Sequence, residues 1–217
     1  MTSEYTPPPF NYCDYRCDRC EEQERCRVFK EEQERLLSHY VKGEDPNDPQ
    51  VFMADIKKIF ERTQQMIMKM ARKHGIDVDE FETEEPPEVD PNEYVIYRLA
   101  HEYYKHAHGF VTELENTGIP VVVEEEYKDL VWYHTLIVAK SGRLVSGFID
   151  DVLDGELQQY EEQGTLQVIK KGIDLSKNAL EKMLDELPDG FHTIAHLMEL
   201  LKRLEDQLAG DIRQKVG

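Results

Sequence analysis

Four cysteines stand close together near the start of the chain, in the stretch NYCDYRCDRCEEQERCRVF. They are Cys13, Cys17, Cys20 and Cys26, and no other cysteine occurs among the 217 residues. Their spacing is C-x3-C-x2-C-x5-C. A thiolate is a soft ligand, and four at short spacing can wrap one inorganic centre. Zinc sites commonly join two short cysteine pairs from separated turns, whereas these four lie in one continuous run. That compactness favours a four-ligand [4Fe–4S] cluster, with structural zinc as the alternative and thiols without metal as a third reading. The run holds few apolar residues and cannot build its own core, so a bound metal would supply folding energy. Arg16, Arg19 and Arg25 offset thiolate charge, while Asp14, Asp18, Glu21, Glu22 and Glu24 oppose that effect.

The first three cysteines resemble the C-x3-C-x2-C spacing of radical-SAM enzymes. Those enzymes build a (β/α) barrel after the motif, and the chain that follows here reads as helices. The last three match the C-x2-C-x5-C portion of some auxiliary-cluster segments.

The chain carries 45 acidic and 26 basic residues, a net charge of −19. Such a surface repels phosphate backbones and anionic lipid, so neither nucleic acid nor a membrane is expected as a partner. A protein partner is compatible with it. No apolar run reaches the length of a membrane span, and MTSEYTPPPF lacks the pattern of a secretory signal. A cytoplasmic location is expected, where cysteines stay reduced and serve as ligands or redox groups.

The elements that must position these thiols read as helices. TPPPF is an extended lead-in. A first helix is predicted from about Glu21 to Lys42, ending at Gly43. Asp48 caps a second, with Pro49 at its first position, that runs to His74 and stops at Gly75. Its apolar stripe is Phe52, Ile56, Ile59, Phe60, Ile67 and Met70. Nine acids between Asp77 and Glu93, with no Lys or Arg among them, predict a solvated loop. It lacks the glycine and ligand spacing of an EF-hand. Asp90-Pro91-Asn92-Glu93 is a capping box that opens a third helix, to about Asn116. A fourth covers about Glu124 to Leu153, a fifth Thr165 to Leu187 and a sixth Phe191 to Leu208. IPVVV is the single short strand candidate. The expected fold is all-α, a helical bundle of about five or six helices with an N-terminal four-cysteine metal-binding segment. Residues 1–45 form the cysteine module with its helix and residues 46–217 the bundle.

Helical phase sorts the histidines, since each residue turns roughly 100°. His101, His106 and His108 in HEYYKHAH cannot converge on one ion from one helix and read as boundary or surface residues. His192 and His196, with Glu199, make a surface clip that points away from the apolar side, and so read as a solvated face. His134 falls within the stripe of Tyr127, Leu130, Val138, Ser141, Val145 and Phe148 and should be buried with a partner. No Glu-x-x-His occurs anywhere, which argues against a di-iron bundle.

The fourth helix carries a second line, Trp132, Leu136, Ala139 and Arg143, opposite the His134 stripe. That places Lys140 and Arg143 near buried surface, in need of anionic partners, for which Asp150, Asp151 and Asp174 are candidates, or of a long reach to water. Trp132, Tyr133, Ile137, Ala139, Lys140 and Arg143, followed by Gly172, Ile173, Asp174 and Ser176, resemble the W-Y-x3-I-x-A-K-x2-R and G-I-D-x-S helices of a group of uncharacterised bacterial all-helical proteins. The resemblance covers the C-terminal half. It implies an all-α fold and brings no activity with it. It also implies that Gly172 lets two helices approach, so that Asp174 meets Lys140 or Arg143.

The first functional reading is a metal-binding protein that holds an iron–sulfur cluster or zinc through Cys13, Cys17, Cys20 and Cys26, in a redox, sensing or accessory role. A second is an enzyme or binding protein with a polar pocket built from His134, Lys140, Arg143 and Asp174. A third is an acidic interaction protein with a purely structural zinc.

Overall fold

The ends of the first two helices fall where capping chemistry demands them. The computed structural model describes residues 12–75, 90–148 and 155–216. TPPPF, most of the acidic run from Asp77, and Asp150 and Asp151 with the expected end of the fourth helix lie outside these residues. Helix α1 spans Arg27–Lys42. Cys26 caps its start, its sulfur accepting the Phe29 N–H, and Gly43 ends it at φ 70°. Helix α2 spans Pro49–His74. The Asp48 carboxylate accepts the Gln50 and Val51 N–H groups, and Gly75 ends it at φ 68°.

Asp90 accepts the Asn92 N–H at the head of a 3-10 turn, Pro91–Glu93, and helix α3 follows over Val95–Thr117. Helix α4 spans Glu124–Gly147, with three glutamates in its first turn to complement the helix dipole. Helix α5 spans Gly155–Glu186 and α6 spans Phe191–Ala209. The strand expected at IPVVV is instead a 3-10 turn, Val121–Val123. It follows Pro120 and has no neighbouring strand to pair with, so its β-branched residues lack the context that makes them extended. The described residues contain no strand, and the fold is all-α.

The chain divides into two compact units, Met1–Tyr15 with Pro86–Gly217, and Arg16–Glu85. This division differs from the boundary at residue 45 expected from sequence. It puts α2 in the unit that holds α1.

In the first unit α3, α4, α5 and α6 pack around a core that includes Tyr103, Phe110, Leu130, Tyr133, Ile137, Ile169, Ile173, Leu180, Met183, Leu197 and Leu201. Gly172 is the close-approach point of α4 and α5. A Cβ there would stand 3.0 Å from Ile137 Cγ1 and 3.4 Å from Tyr133 Cδ1. The chain end returns to the start of α3, with the Val95 N–H donating to the Gln214 carbonyl at 3.0 Å.

In the second unit a polar clasp joins α1 to α2. Asp55 Oδ2 accepts from Arg35 Nη1 at 3.0 Å and lies 2.7 Å from His39 Nε2, whose Nδ1 is 2.8 Å from Glu44. Among described residues 16–75 only His39, Asp55 and Ala71 are buried. The α2 stripe was expected to face inward. Phe52, Ile59, Phe60, Ile67 and Met70 are each more than half exposed. Two helices held by a polar clasp enclose no interior for such a stripe.

Candidate functional site

Asp14 anchors the beginning of the cysteine run to the bundle of the first unit. It is buried. Its backbone carbonyl accepts the Trp132 indole N–H at 2.7 Å, and its carboxylate accepts the Tyr133 hydroxyl at 2.6 Å. The Lys171 ammonium pairs with the same carboxylate at 2.8 Å. Helices α4 and α5 thus supply three donors to one residue, a charge-assisted arrangement that satisfies a buried carboxylate.

Cys13 and Tyr15 flank this anchor. The Tyr15 N–H donates to Cys13 Sγ at 3.3 Å. Tyr15 has φ 60°, and no other described residue except glycine has positive φ. A tyrosine in that region is strained and persists only where its surroundings hold it. The Asp14 anchor on one side and Lys140, whose Nζ lies 5.7 Å from the Tyr15 ring centroid, on the other provide that hold.

The remaining thiols lie in the second unit. Cys17 opens a short 3-10 turn, Cys17–Arg19, and its carbonyl accepts from the Gln23 side chain. Cys20 closes that turn. Cys26 Sγ accepts the Phe29 N–H at 3.5 Å. None of the four is in a disulfide.

The four residues expected to form a polar pocket do not line one cleft among those described. His134 is buried as expected. Its Nδ1 donates to the Leu130 carbonyl at 2.9 Å, which leaves Nε2 as an acceptor with no partner among the described residues. Its ring stacks on Tyr104 and His108. Burial pushes His134 below the ordinary imidazole value, and the neighbouring His108 adds to this. Lys140 is also buried, on a line with Tyr133, Ile137 and Leu144. Burial and then the Arg143 charge push its ammonium down, while Cys13 and Glu161 oppose them.

Trp132 and Arg143, expected on the second inward line of α4, are exposed. Arg143 pairs with Glu161 at 2.5 Å and lines a cleft of about 430 Å³ that His134, Lys140 and Asp174 do not reach. Asp174 is exposed and faces a separate cleft with Lys170, Glu205 and Ala209. The expected ion pair of Asp174 with Lys140 or Arg143 is therefore not formed. Gly172 turns its own side of α5 toward α4, and Asp174, two positions on, points toward α6.

A second cluster was hidden from sequence. Glu102 and His106 of α3 and His196 of α6 bring one ligand atom each to within 4.8 Å of one another. Among the described residues, Cys17, Cys20 and Cys26 do not form such a set. The rings of His106 and His196 meet edge to face at 4.6 Å. Helical phase excluded convergence of His101, His106 and His108 from one helix, and His106 stands instead with Glu102 of its own helix. The third member comes from another helix.

Comparison of the chain with protein-family models, curated proteins and solved structures returned no match.

Proposed function

We propose that this is a metal-binding helical protein whose Cys13, Cys17, Cys20 and Cys26 hold one inorganic centre, a [4Fe–4S] cluster, in a redox, sensing or accessory role. The observation that carries the reading is the treatment of the run's two outer sulfurs. Cys13 and Cys26 each accept a backbone N–H, at 3.3 Å and 3.5 Å. Amide donors to sulfur stabilise a ligating thiolate and tune a cluster's potential. The strained backbone at Tyr15 aims one of those amides, and strain of this kind gathers at functional positions. The chemistry such a cluster supplies is one-electron transfer. Cys13 would enter it already anchored through Asp14, with Lys140 beside it as a buried cation. Cys17, Cys20 and Cys26 would supply the other three ligands, and ligation would add folding energy to their segment, since ligation and folding are coupled in small sites.

A structural zinc is the second reading. It is favoured by the second unit, whose described residues bury almost nothing apolar and so stand to gain most from a metal. The polar-pocket reading draws no support from the described clefts, which hold Arg143 and Asp174 separately.

Anaerobic purification with iron, zinc and acid-labile sulfide quantification tests the proposal. About four irons and four sulfides per chain, with a broad absorption band near ~400 nm, are expected. One zinc and no sulfide would replace the cluster with the second reading. Full metal retention in Cys17→Ser would overturn both.

A further inference from the structure

We propose a second metal site, separate from the cysteines, in which Glu102, His106 and His196 bind one divalent transition ion and tie α3 to α6. Glu102 and His106 are one turn apart on α3, so both side chains leave the same face. Their chain neighbours Tyr103 and Ala107 are fully buried. On α6, His196 is followed by the fully buried Leu197, and Ile194 is likewise buried. The two helices pack directly on each other, so the backbone positions of all three ligands are fixed by the core.

The donor set suits the ion. Two imidazoles and one carboxylate are the three protein ligands of an open zinc-type site, with water in the remaining position. The donor atoms lie within 4.8 Å of one another. Zinc bonds of about 2.0–2.2 Å ask donors to stand roughly 3–3.5 Å apart, a closure that side-chain torsions supply without moving the helices. No hydrogen bond among the described residues engages either imidazole, so both keep a nitrogen available. Glu102 and His196 are half-buried and His106 is exposed, which leaves a path for a hydrated ion. Among the described residues the nearby competitor is Arg203, whose Nη1 lies 3.9 Å from Glu102 Oε2 and would yield to the ion. His192, one turn before His196, is exposed and is not part of the set.

Calorimetric titration of the full chain with Zn²⁺ tests the site. On the proposed function the cysteines would also take zinc, so the readout is the difference between variants. Wild type should bind one ion more than His196→Ala, and Glu102→Gln should bind that ion roughly tenfold or more weakly. His192→Ala should match wild type. Zn²⁺ should also raise the Tm of wild type beyond that of His196→Ala. His106→Gln, at an exposed position, repeats the comparison should His196→Ala fold poorly. Equal stoichiometry and affinity in wild type, His196→Ala and His106→Gln would overturn the proposal, as would uptake of the extra ion only at millimolar Zn²⁺, the mark of an adventitious ion only.

Discussion

The indole N–H of Trp132 donates to the backbone carbonyl of Asp14 at 2.7 Å, joining residues 118 positions apart in sequence. Trp132 is the chain's only tryptophan, so its fluorescence reports directly on whether the start of the cysteine run is seated. Asp14→Ala removes the acceptor of Tyr133 and Lys171 and should cost about 1–3 kcal/mol in the unfolding free energy. Its Trp132 emission should move to the red, and its metal content should fall. Emission and metal content equal to wild type would show that the anchor does not hold the segment.

Gly172 and Gly109 predict opposite outcomes for the same substitution. Gly172→Ala drives a methyl to 3.0 Å from Ile137 Cγ1 and should destabilise by about 1–3 kcal/mol. Gly109 sits inside α3, where an added Cβ would meet nothing within 4 Å, so Gly109→Ala should stabilise by about 0.5–1 kcal/mol through helix propensity. Thermal melts of the two variants decide both.

Asp174→Asn would cost several kcal/mol if the carboxylate neutralised a buried cation. Its exposed position and the Arg143–Glu161 pair lead to a different expectation, a change within about 0.5 kcal/mol. A large drop in chemical-denaturation stability would restore the buried pair.

The α1–α2 clasp should have a pH window. His39 is held above the ordinary histidine value, first by its bond to Glu44 and then by Asp55. Its contribution is complete below the unfolded value near 6.5 and fades as pH rises through the raised folded value. Asp55 is held well below the ordinary carboxylate range, first by His39 and then by Arg35. Its contribution is complete above the unfolded value near 3.9 and fades as pH falls through the lowered one. Arg35, which also pairs with Glu32, is held above its ordinary value and stays charged throughout this range, and Lys58 pairs with Asp55 from the surface. Hydrogen-exchange protection of α1 and α2, corrected for intrinsic rates, should therefore be greatest between about pH 4 and about pH 6.5. His39→Gln should flatten the alkaline side. Protection that rises steadily above pH 7 would contradict the clasp.

Local chemistry made much of this legible in advance. Asp48, Gly43 and Gly75 mark helix ends because capping is settled by a few adjacent residues, and the structure places them at those ends. The close approach at Gly172 was likewise readable, since a glycine on a buried face leaves a gap for the neighbouring helix. What failed depended on partners. Helix α5 begins at Gly155 and not near Thr165, because the segment ELQQYEEQ has no apolar stripe to announce it. The α2 stripe reads as core by period alone, yet the period carries no information on what will cover it. From sequence Asp14 reads as one of the charges opposing the thiolates. Its role as an anchor rests on Trp132, Tyr133 and Lys171, and nothing near it in sequence shows them. The meeting of His106 with His196 is of the same kind.

The Asp14 anchor has a consequence for the order of events. Cys13 keeps its address when the other thiols are empty, and Cys17 follows only four positions later. Short tethers of this kind hold attached groups at effective concentrations in the ~millimolar range. Were the proposed centre lost, Cys13 would stay seated through Asp14 and the short chain beyond it would limit how far Cys17 could stray, so reassembly becomes a local search that starts from a fixed point.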